Sequence, residues 1–136
     1  MILNSCEYKR INANSPVICV HETDGVLNVR IKDDVTGFRL YDLLDITKAP
    51  VKTVSFDGVK FDEVHPWVDI PWKNLNRTSG QHVYKVSFMN ERKCRYVSTY
   101  FSYVIQDNDP YKPYIYINDL KSDVDEEKYG EYLGLY

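Results

Sequence analysis

A period of two in the apolar residues between Gln81 and Ile105 constrains the fold of this chain more than any other feature. Two runs rich in β-branched and aromatic residues, 81–88 and 94–105, flank the polar break 89–93. Side chains alternate between the two faces of a strand, so each run has one face of mainly large apolar residues. These faces are His82, Tyr84, Val86 and Phe88 in the first run and Val97, Thr99, Phe101, Tyr103 and Ile105 in the second. The pattern predicts an antiparallel hairpin at the centre of a β-domain.

Two Asp-Gly pairs predict further hairpins. Asp24-Gly25 and Asp57-Gly58 each lie between two short apolar runs. Because glycine tolerates the positive φ of a tight turn, such a pair is a strong hairpin signal. The flanking runs are 16–20 and 26–31 for the first pair, and 51–56 and 59–61 for the second.

The remaining segments are also mainly extended. Residues 38–46 predict a strand that passes into one helical turn, and residues 114–117 predict the last strand. Two prolines in His65–Trp72 predict an edge segment and exclude a central strand there. Seven or eight short strands with turn residues between them predict an all-β sandwich of two antiparallel sheets. We expect one domain, 1–120, followed by a C-terminal arm, 121–136.

Composition excludes several classes of function. The formal net charge of the 136 residues is -3 and the 17 basic residues are scattered, so we expect no nucleic-acid partner. No apolar stretch has the length of a signal peptide or a membrane span. We therefore expect that the chain is made in a cytoplasm and does not associate with a membrane. Cys6, Cys19 and Cys94 show no paired spacing and are expected to be reduced, with a Cys6–Cys94 or Cys19–Cys94 bridge as the alternative.

No motif in the chain indicates a catalytic or metal-binding site. His21, His65 and His82 lie at no metal-ligand spacing, and no GxSxG frames a serine. The acidic stretch that starts at Asp123 fails the calcium-loop pattern, because Lys128 stands where the pattern needs glycine. We therefore predict no catalytic residue, no metal ligand and no cofactor, and His82 is interpreted as a structural histidine.

The 12 tyrosines, against 5 phenylalanines and 2 tryptophans, indicate aromatic surface. Tyrosine combines a large apolar ring with a polar tip, which suits half-buried sheet faces and contact surfaces. If the face with Val97, Phe101 and Ile105 is turned to the core, Tyr96 and Tyr100 stand on the opposite face of the sheet. The acidic stretch 123–127 and the aromatic tail 129–136 indicate an arm that docks on its own domain or on a neighbour. The predicted partner-binding residues are Tyr96, Tyr100, Tyr114, Tyr116, Tyr129, Tyr132, Leu133, Leu135 and Tyr136.

The runs 70–88 and 98–107 resemble small immunoglobulin-like domains in the structural proteins of tailed bacteriophages, including crAss-like phages of the gut. The residues that carry the resemblance are Gly80, His82, Tyr84, Phe88, Tyr100, Phe101 and Tyr103. The hairpin 23–31 and the segment 37–46 are similar to the opening of phage baseplate and fibre domains of this type. The resemblance covers about two thirds of the chain.

The resemblance implies an immunoglobulin-like sandwich with short terminal arms and a non-enzymatic role in the virion. An auxiliary or decoration protein, or a fibre-attachment protein, would bind other virion proteins as a homo-oligomer or within a symmetric assembly. The alternative is a carbohydrate-binding module in which exposed Trp67, Trp72, Tyr96 or Tyr100 stacks on glycans. A coplanar pair of exposed rings would favour that alternative, and burial of the tryptophans would oppose it.

Overall fold

The computed structural model describes residues 7–11, 15–33, 35, 37–43, 50–54, 60–62, 65–90, 92–107 and 109–117. Within these ranges the chain forms nine strands and one short 3-10 turn, Trp72–Asn74. The strands are β1 Ile18–Thr23, β2 Val26–Ile31, β3 Phe38–Asp42, β4 Pro50–Val54, β5 Lys60–Asp62, β6 His65–Pro71, β7 Gly80–Asn90, β8 Arg95–Gln106 and β9 Asp109–Tyr116.

The strands form two antiparallel sheets. Sheet 1 has the order β1-β2-β6-β5, and sheet 2 has the order β4-β3-β7-β8-β9. Every pair of neighbouring strands is antiparallel. The prediction of an all-β sandwich is confirmed. Its immunoglobulin-like type stays a prediction.

The core lies between the inner faces of the two sheets, where the period of two placed it. On β7 and β8, the residues of the predicted inner faces are all buried, with at most 5 % of the side chain exposed. Sheet 1 contributes mainly aliphatic side chains to this core, and sheet 2 contributes most of its aromatic rings. The core residues of sheet 1 are Ile18, Val20, Leu27, Val29, Ile31, Val68 and Ile70.

The first Asp-Gly hairpin is confirmed. Asp24 and Gly25 connect β1 to β2 with φ of 52° and 80°, the left-handed conformation that a two-residue hairpin turn requires. The Glu22 carboxylate accepts a hydrogen bond from the Gly25 N–H at 3.0 Å. Because the turn fixes the register, Leu27, Val29 and Ile31 all point into the core.

The prediction of a second hairpin at Asp57-Gly58 is wrong. The strands before and after Asp57-Gly58 lie in different sheets: β4 pairs with β3 in sheet 2, and β5 pairs with β6 in sheet 1. The connection therefore crosses from one sheet to the other. Asp57 and Gly58 themselves lie outside the described residues. Residues 44–46, the end of the segment 38–46 predicted as a strand passing into one helical turn, also lie outside them.

The edge position predicted for His65–Trp72 is also wrong, because β6 lies between β2 and β5. Its prolines are tolerated because of how the register is staggered. Pro66 is paired with β5 alone and Pro71 with β2 alone, and Trp67 is the residue that has partners on both sides. Each proline thus lies where the strand has a neighbour on one side only, so the N–H it lacks need not interrupt a continuous ladder.

The expectation of three reduced cysteines is wrong for Cys19, which is disulfide-bonded and fully buried. Cys94, on the exposed β7–β8 turn, is not disulfide-bonded, so the two bridges that involve Cys94 are also wrong. The spacing of the cysteines in the sequence does not show which of them form a disulfide, because that depends on which residues meet in the tertiary structure.

Candidate binding surfaces

Three of the tyrosines predicted to bind a partner are exposed. Tyr96 on β8 is 41 % exposed, and Tyr114 and Tyr116 on β9 are 58 % and 42 % exposed. They lie on the outer face of sheet 2, because their neighbours Val97 and Ile115 pack into the core. The face predicted from the alternation is therefore the face observed. Their role in binding stays a prediction.

These tyrosines form two patches, not one row. The register of β8 and β9 places Tyr116 beside Ser102 and Tyr114 beside Val104. Tyr96 precedes Ser102 by six positions on β8, which corresponds to about 20 Å along an extended strand. One patch therefore lies on the edge strand β9, and the other lies next to the β7–β8 turn.

Tyr100 lies on the predicted outer face but is only 2 % exposed, so it is not part of an exposed surface. It packs with Leu43 and Val83 in a second, smaller apolar cluster, against which Ile11 and Tyr41 also pack. Part of the outer face of sheet 2 is thus covered. The period of two assigns a residue to a face but does not show what covers that face. The other predicted binding residues, Tyr129 to Tyr136, lie outside the described residues.

Cations lie over aromatic rings on the outer face of sheet 2. The Arg39 guanidinium on β3 is 4.3 Å from the centroid of the Tyr96 ring, and the Lys85 ammonium is 5.4 Å from the Tyr41 ring. Partial burial lowers the pKa of Lys85. These contacts orient the rings and keep positive charge next to them. Sequence reasoning missed the Arg39–Tyr96 pair because its members are far apart in the chain.

The turn that follows β7 presents basic side chains to solvent. The Asn90 side-chain oxygen accepts a hydrogen bond from the Lys93 N–H at 3.1 Å, and Cys94 adopts a φ of 52°. Arg92, Lys93 and Arg95 are all exposed. Arg95 directly precedes Tyr96 in the sequence, and the contact of Arg39 with the Tyr96 ring brings a further cation next to this turn.

The outer face of sheet 1 carries a hydrogen-bonded polar group. The Asn28 side-chain amide donates to the Asp69 carboxylate at 2.7 Å, and Arg30 Nε donates to the Asn28 side-chain oxygen at 3.0 Å. The Arg30 guanidinium also lies 5.6 Å from the centroid of the Trp67 ring. One face of Trp67 is therefore in contact with a cation of its own sheet.

The rings named for the glycan-binding alternative do not come together. Trp72 is 5 % exposed and contacts Tyr103 edge-on at 5.0 Å, and Tyr100 is buried as described. Trp67 and Tyr96 lie on the outer faces of different sheets. Two rings separated by the whole sandwich cannot stack on the same sugar. The observation opposes this alternative.

A buried tyrosine pair fastens the loop 75–79 to the sandwich. The Tyr103 hydroxyl donates to the Asn76 carbonyl at 2.8 Å, and the Asn76 N–H donates to the Tyr84 hydroxyl at 3.1 Å. The two hydroxyls are 3.3 Å apart. Burial raises the pKa of both tyrosines above the usual 10.0, and the charge of Asp42 adds to this effect.

His82 has the structural position predicted for it. It is 2 % exposed, its Nε2 donates to the Thr78 carbonyl at 2.7 Å, and its ring lies against Tyr103 with centroids 5.1 Å apart. Because the carbonyl can only accept, the bonded nitrogen carries the proton. His82 thus fastens the same loop as the tyrosine pair.

A shallow groove of about 570 Å³ opens beside this loop. It is lined by Ser79, Gly80, Ile105, Gln106 and Asp107. His82 does not line it, so the groove does not join an imidazole to the carboxylate of Asp107. Across the described ranges, no group of three or more His, Cys, Asp or Glu side chains is arranged to hold a metal ion.

No helix among the described residues has the length and apolar character needed to cross a bilayer. No sequence family, no curated protein and no solved structure matches the chain.

Proposed function

We propose that this chain is a non-enzymatic structural protein of a bacteriophage particle. In this proposal it is an auxiliary or decoration protein, or a fibre-attachment protein, that binds other virion proteins through its terminal arms and the outer face of sheet 2. It is made in the host cytoplasm, works in the virion without a cofactor, and contacts neither nucleic acid nor membrane. The resemblance of the runs 70–88 and 98–107 to phage domains is the reason for naming the virion.

The observation that carries a binding role is the exposure of Tyr96, Tyr114 and Tyr116 on one face of a rigid sandwich. Tyrosine is enriched at protein interfaces, since its ring provides large contact area with few rotatable bonds and its hydroxyl finds polar partners. A tyrosine side chain has only two rotatable bonds and each of the three stands on a strand, so little side-chain entropy is lost on contact. The sheet face therefore suits many shallow contacts with other proteins.

Repetition makes such contacts effective. A particle presents the same binding site many times, so a second contact made by a linked or neighbouring copy forms at high effective concentration. The short stretch of acidic and aromatic residues at 123–136 suits a contact of this type. Two weak contacts per copy then give firm attachment without a deep pocket.

The proposal is tested by the incorporation of variants into particles. Deleting Tyr129 to Tyr136 is expected to reduce incorporation at least about tenfold, which corresponds to losing about 1.4 kcal/mol of binding free energy. Replacing Tyr114 and Tyr116 by serine is expected to act in the same direction. Quantitative mass spectrometry of purified particles measures the copy number of each variant.

Circular dichroism and thermal unfolding check that each variant keeps the sandwich. A control is Lys73→Ser, because Lys73 is exposed but lies in the 3-10 turn, outside the strands of sheet 2. Normal incorporation of the truncated chain would refute the arm as an attachment element. Absence of the wild-type chain from purified particles would refute the virion role itself.

A further inference from the structure

One hairpin of this acidic chain carries a net positive charge, because it contains few carboxylates. The β7–β8 hairpin, residues 80–106, contains Lys85, Arg92, Lys93 and Arg95 with Glu91 as its one carboxylate, a net charge of +3. The whole chain has a net charge of -3, so the rest of the chain carries -6. A distribution of this type produces a local positive potential that attracts acidic groups.

The three-dimensional structure brings Arg39 of β3 to the three cations at the turn of this hairpin, Arg92, Lys93 and Arg95. We name as the basic tip the residues Arg39, Arg92, Lys93, Arg95 and Tyr96. Residues 92–96 are all exposed, and Arg39 reaches the Tyr96 ring from β3 at 4.3 Å. Guanidinium groups next to an aromatic ring bind carboxylates and tyrosine rings well, because each guanidinium offers several planar N–H donors.

The C-terminal segment of the same chain has the complementary charge. Residues 118–136 contain six Asp or Glu against two Lys, a net charge of -4, together with Tyr129, Tyr132 and Tyr136. The carboxylates and tyrosines of this segment are the groups that the basic tip can bind. The match in charge and in aromatic content is therefore found within one chain.

We propose that the basic tip binds the acidic C-terminal segment, residues 118–136, of a second copy of this chain. The contact is head-to-tail: the tip of one copy takes the tail of the next, and the two surfaces involved are different. Contacts of this kind build rings or open arrays, according to the rotation between copies. The inference rests on the proposed function, for which it names one partner and one surface.

The pairing of β8 and β9 opposes one route to the same contact within one copy, a strand that continues from β9 along β8. Tyr116 is paired with Ser102, so continuing the strand beyond Ile117 would set Asp119 opposite Thr99 and Lys121 opposite Val97. Thr99 and Val97 point inward and are 2 % and 5 % exposed. A charged side chain on that inner side is costly. A strand continued from β9 along β8 is thus an unfavourable route to the basic tip of the same copy, whereas the tail of a second copy meets no such constraint.

The strength of the contact depends on salt and on repetition. An exposed ion pair contributes about 1 kcal/mol or less, and about 0.1 M salt screens charges beyond about 10 Å. Three or four such pairs with tyrosine contacts give a weak association in solution. The same contact becomes effective when an assembly repeats it.

The test uses two full-length charge-reversal variants. The tip variant carries Arg92→Glu, Lys93→Glu and Arg95→Glu, and the tail variant carries Asp125→Lys, Glu126→Lys and Glu127→Lys. Sedimentation equilibrium measures the association of each variant and of their equimolar mixture at about 20 mM salt and at about 0.5 M salt. Circular dichroism shows whether the sandwich is intact.

The wild-type chain is expected to self-associate at low salt and to dissociate at high salt. Each variant alone is expected to associate at least about tenfold more weakly, because its tip and its tail then carry like charges. Mixing the two variants is expected to restore association, since each tip again meets a tail of opposite charge. Only a contact between copies predicts this recovery.

A mixture that stays monomeric at low salt overturns the inference, as does a wild-type oligomer that the tip variant leaves unchanged. The control variant Lys73→Glu, Arg77→Glu changes exposed cations in the segment 73–77, away from the tip, and is expected to leave association unchanged. Failure of this inference is distinct from failure of the virion role. The mixing experiment reports on the contact between copies, whereas incorporation of the wild-type chain into particles reports on the virion role.

Discussion

At the scale of single residues, the hydroxyls of Tyr84 and Tyr103 connect a loop to the core. They satisfy both the N–H and the carbonyl of the half-buried Asn76. A buried backbone group without a partner costs about 1 to 3 kcal/mol, so these rings contribute more than their apolar area. His82 adds a third contact through the Thr78 carbonyl.

Tyr103→Phe is expected to lower the free energy of unfolding by about 1 to 3 kcal/mol. The substitution keeps the ring and removes the donor to the Asn76 carbonyl, which is then left unpaired. Urea unfolding followed by fluorescence measures the change. Tyr114→Phe removes a hydroxyl from an exposed ring and is expected to change stability by less than about 0.5 kcal/mol. Equal effects of the two substitutions would contradict the role given to the Tyr103 hydroxyl.

Alkaline pH is expected to destabilise the chain through the same two tyrosines. Their pKa values in the folded state are raised above the usual 10.0, so their contribution to stability is complete below pH 10. Above pH 10 the unfolded state releases these protons first, and stability then falls by up to about 1.4 kcal/mol per pH unit for each tyrosine. Urea unfolding between pH 8 and about pH 11.5 measures this loss.

The double substitution Tyr84→Phe, Tyr103→Phe is expected to flatten this dependence on pH above 10. Lys85 acts in the opposite direction: its pKa is lowered by partial burial, so stability rises as pH approaches 10.5, where the unfolded state also loses its proton. An unchanged slope in the double variant would show that other groups govern alkaline unfolding.

At the scale of secondary-structure elements, the two turns that the sequence treated alike behave differently. Asp24-Gly25 joins two strands that pair directly, and β1 and β2 match over their whole length. The strands on either side of Asp57-Gly58 pair with other partners in different sheets. A turn signal shows that the chain changes direction. It does not show whether the two flanking strands pair with each other.

Gly25→Ala is expected to destabilise the β1–β2 hairpin by about 1 kcal/mol. Gly25 has a φ of 80°, which costs a residue with a Cβ about 1 to 2 kcal/mol. Nothing lies within 4 Å of a Cβ added at this position, so the cost comes from the backbone alone. Gly25→Asn is the matched control and is expected to cost less, because asparagine adopts this conformation more readily. Thermal unfolding of both variants compares them, and equal losses would point to a steric cause.

At the scale of the whole molecule, a rigid sandwich carries distinct surfaces. Tyr114 and Tyr116 lie on the edge strand β9, and the basic tip lies at the far end of β8. The outer face of sheet 1 carries the group formed by Asn28, Arg30 and Asp69. Surfaces on different sides of one body allow a copy to contact more than one neighbour, which is what an assembly role requires.

The two cysteines within the described ranges are expected to differ in reactivity. Cys94 is exposed and not disulfide-bonded, whereas Cys19 is buried and disulfide-bonded. A maleimide added to the native, unreduced chain is expected to modify Cys94 and to leave Cys19 unmodified until a reductant is added. Peptide mapping by mass spectrometry locates the adducts, and Cys94→Ser removes the adduct at position 94. Modification of Cys19 without reductant would show that it is not disulfide-bonded.

Much of the fold followed from local rules that act along the chain. Alternation in 81–105 assigned the buried faces of β7 and β8, because a strand turns successive side chains to opposite sides. Asp24-Gly25 set the register of β1 and β2, because few residues adopt a left-handed turn. The alternation of side chains along a strand also placed Tyr96, Tyr114 and Tyr116 on the outer face of sheet 2.

Only the tertiary structure decided which strands became neighbours, and through them which residues met. The sequence contains no local signal that β6 is central, that Tyr100 is covered by Leu43, or that Arg39 lies over Tyr96. Such contacts form between residues far apart in sequence, once many weak interactions have closed the sandwich together. The sequence by itself therefore determined the elements and their faces, and the packing of the two sheets decided which of those faces are exposed.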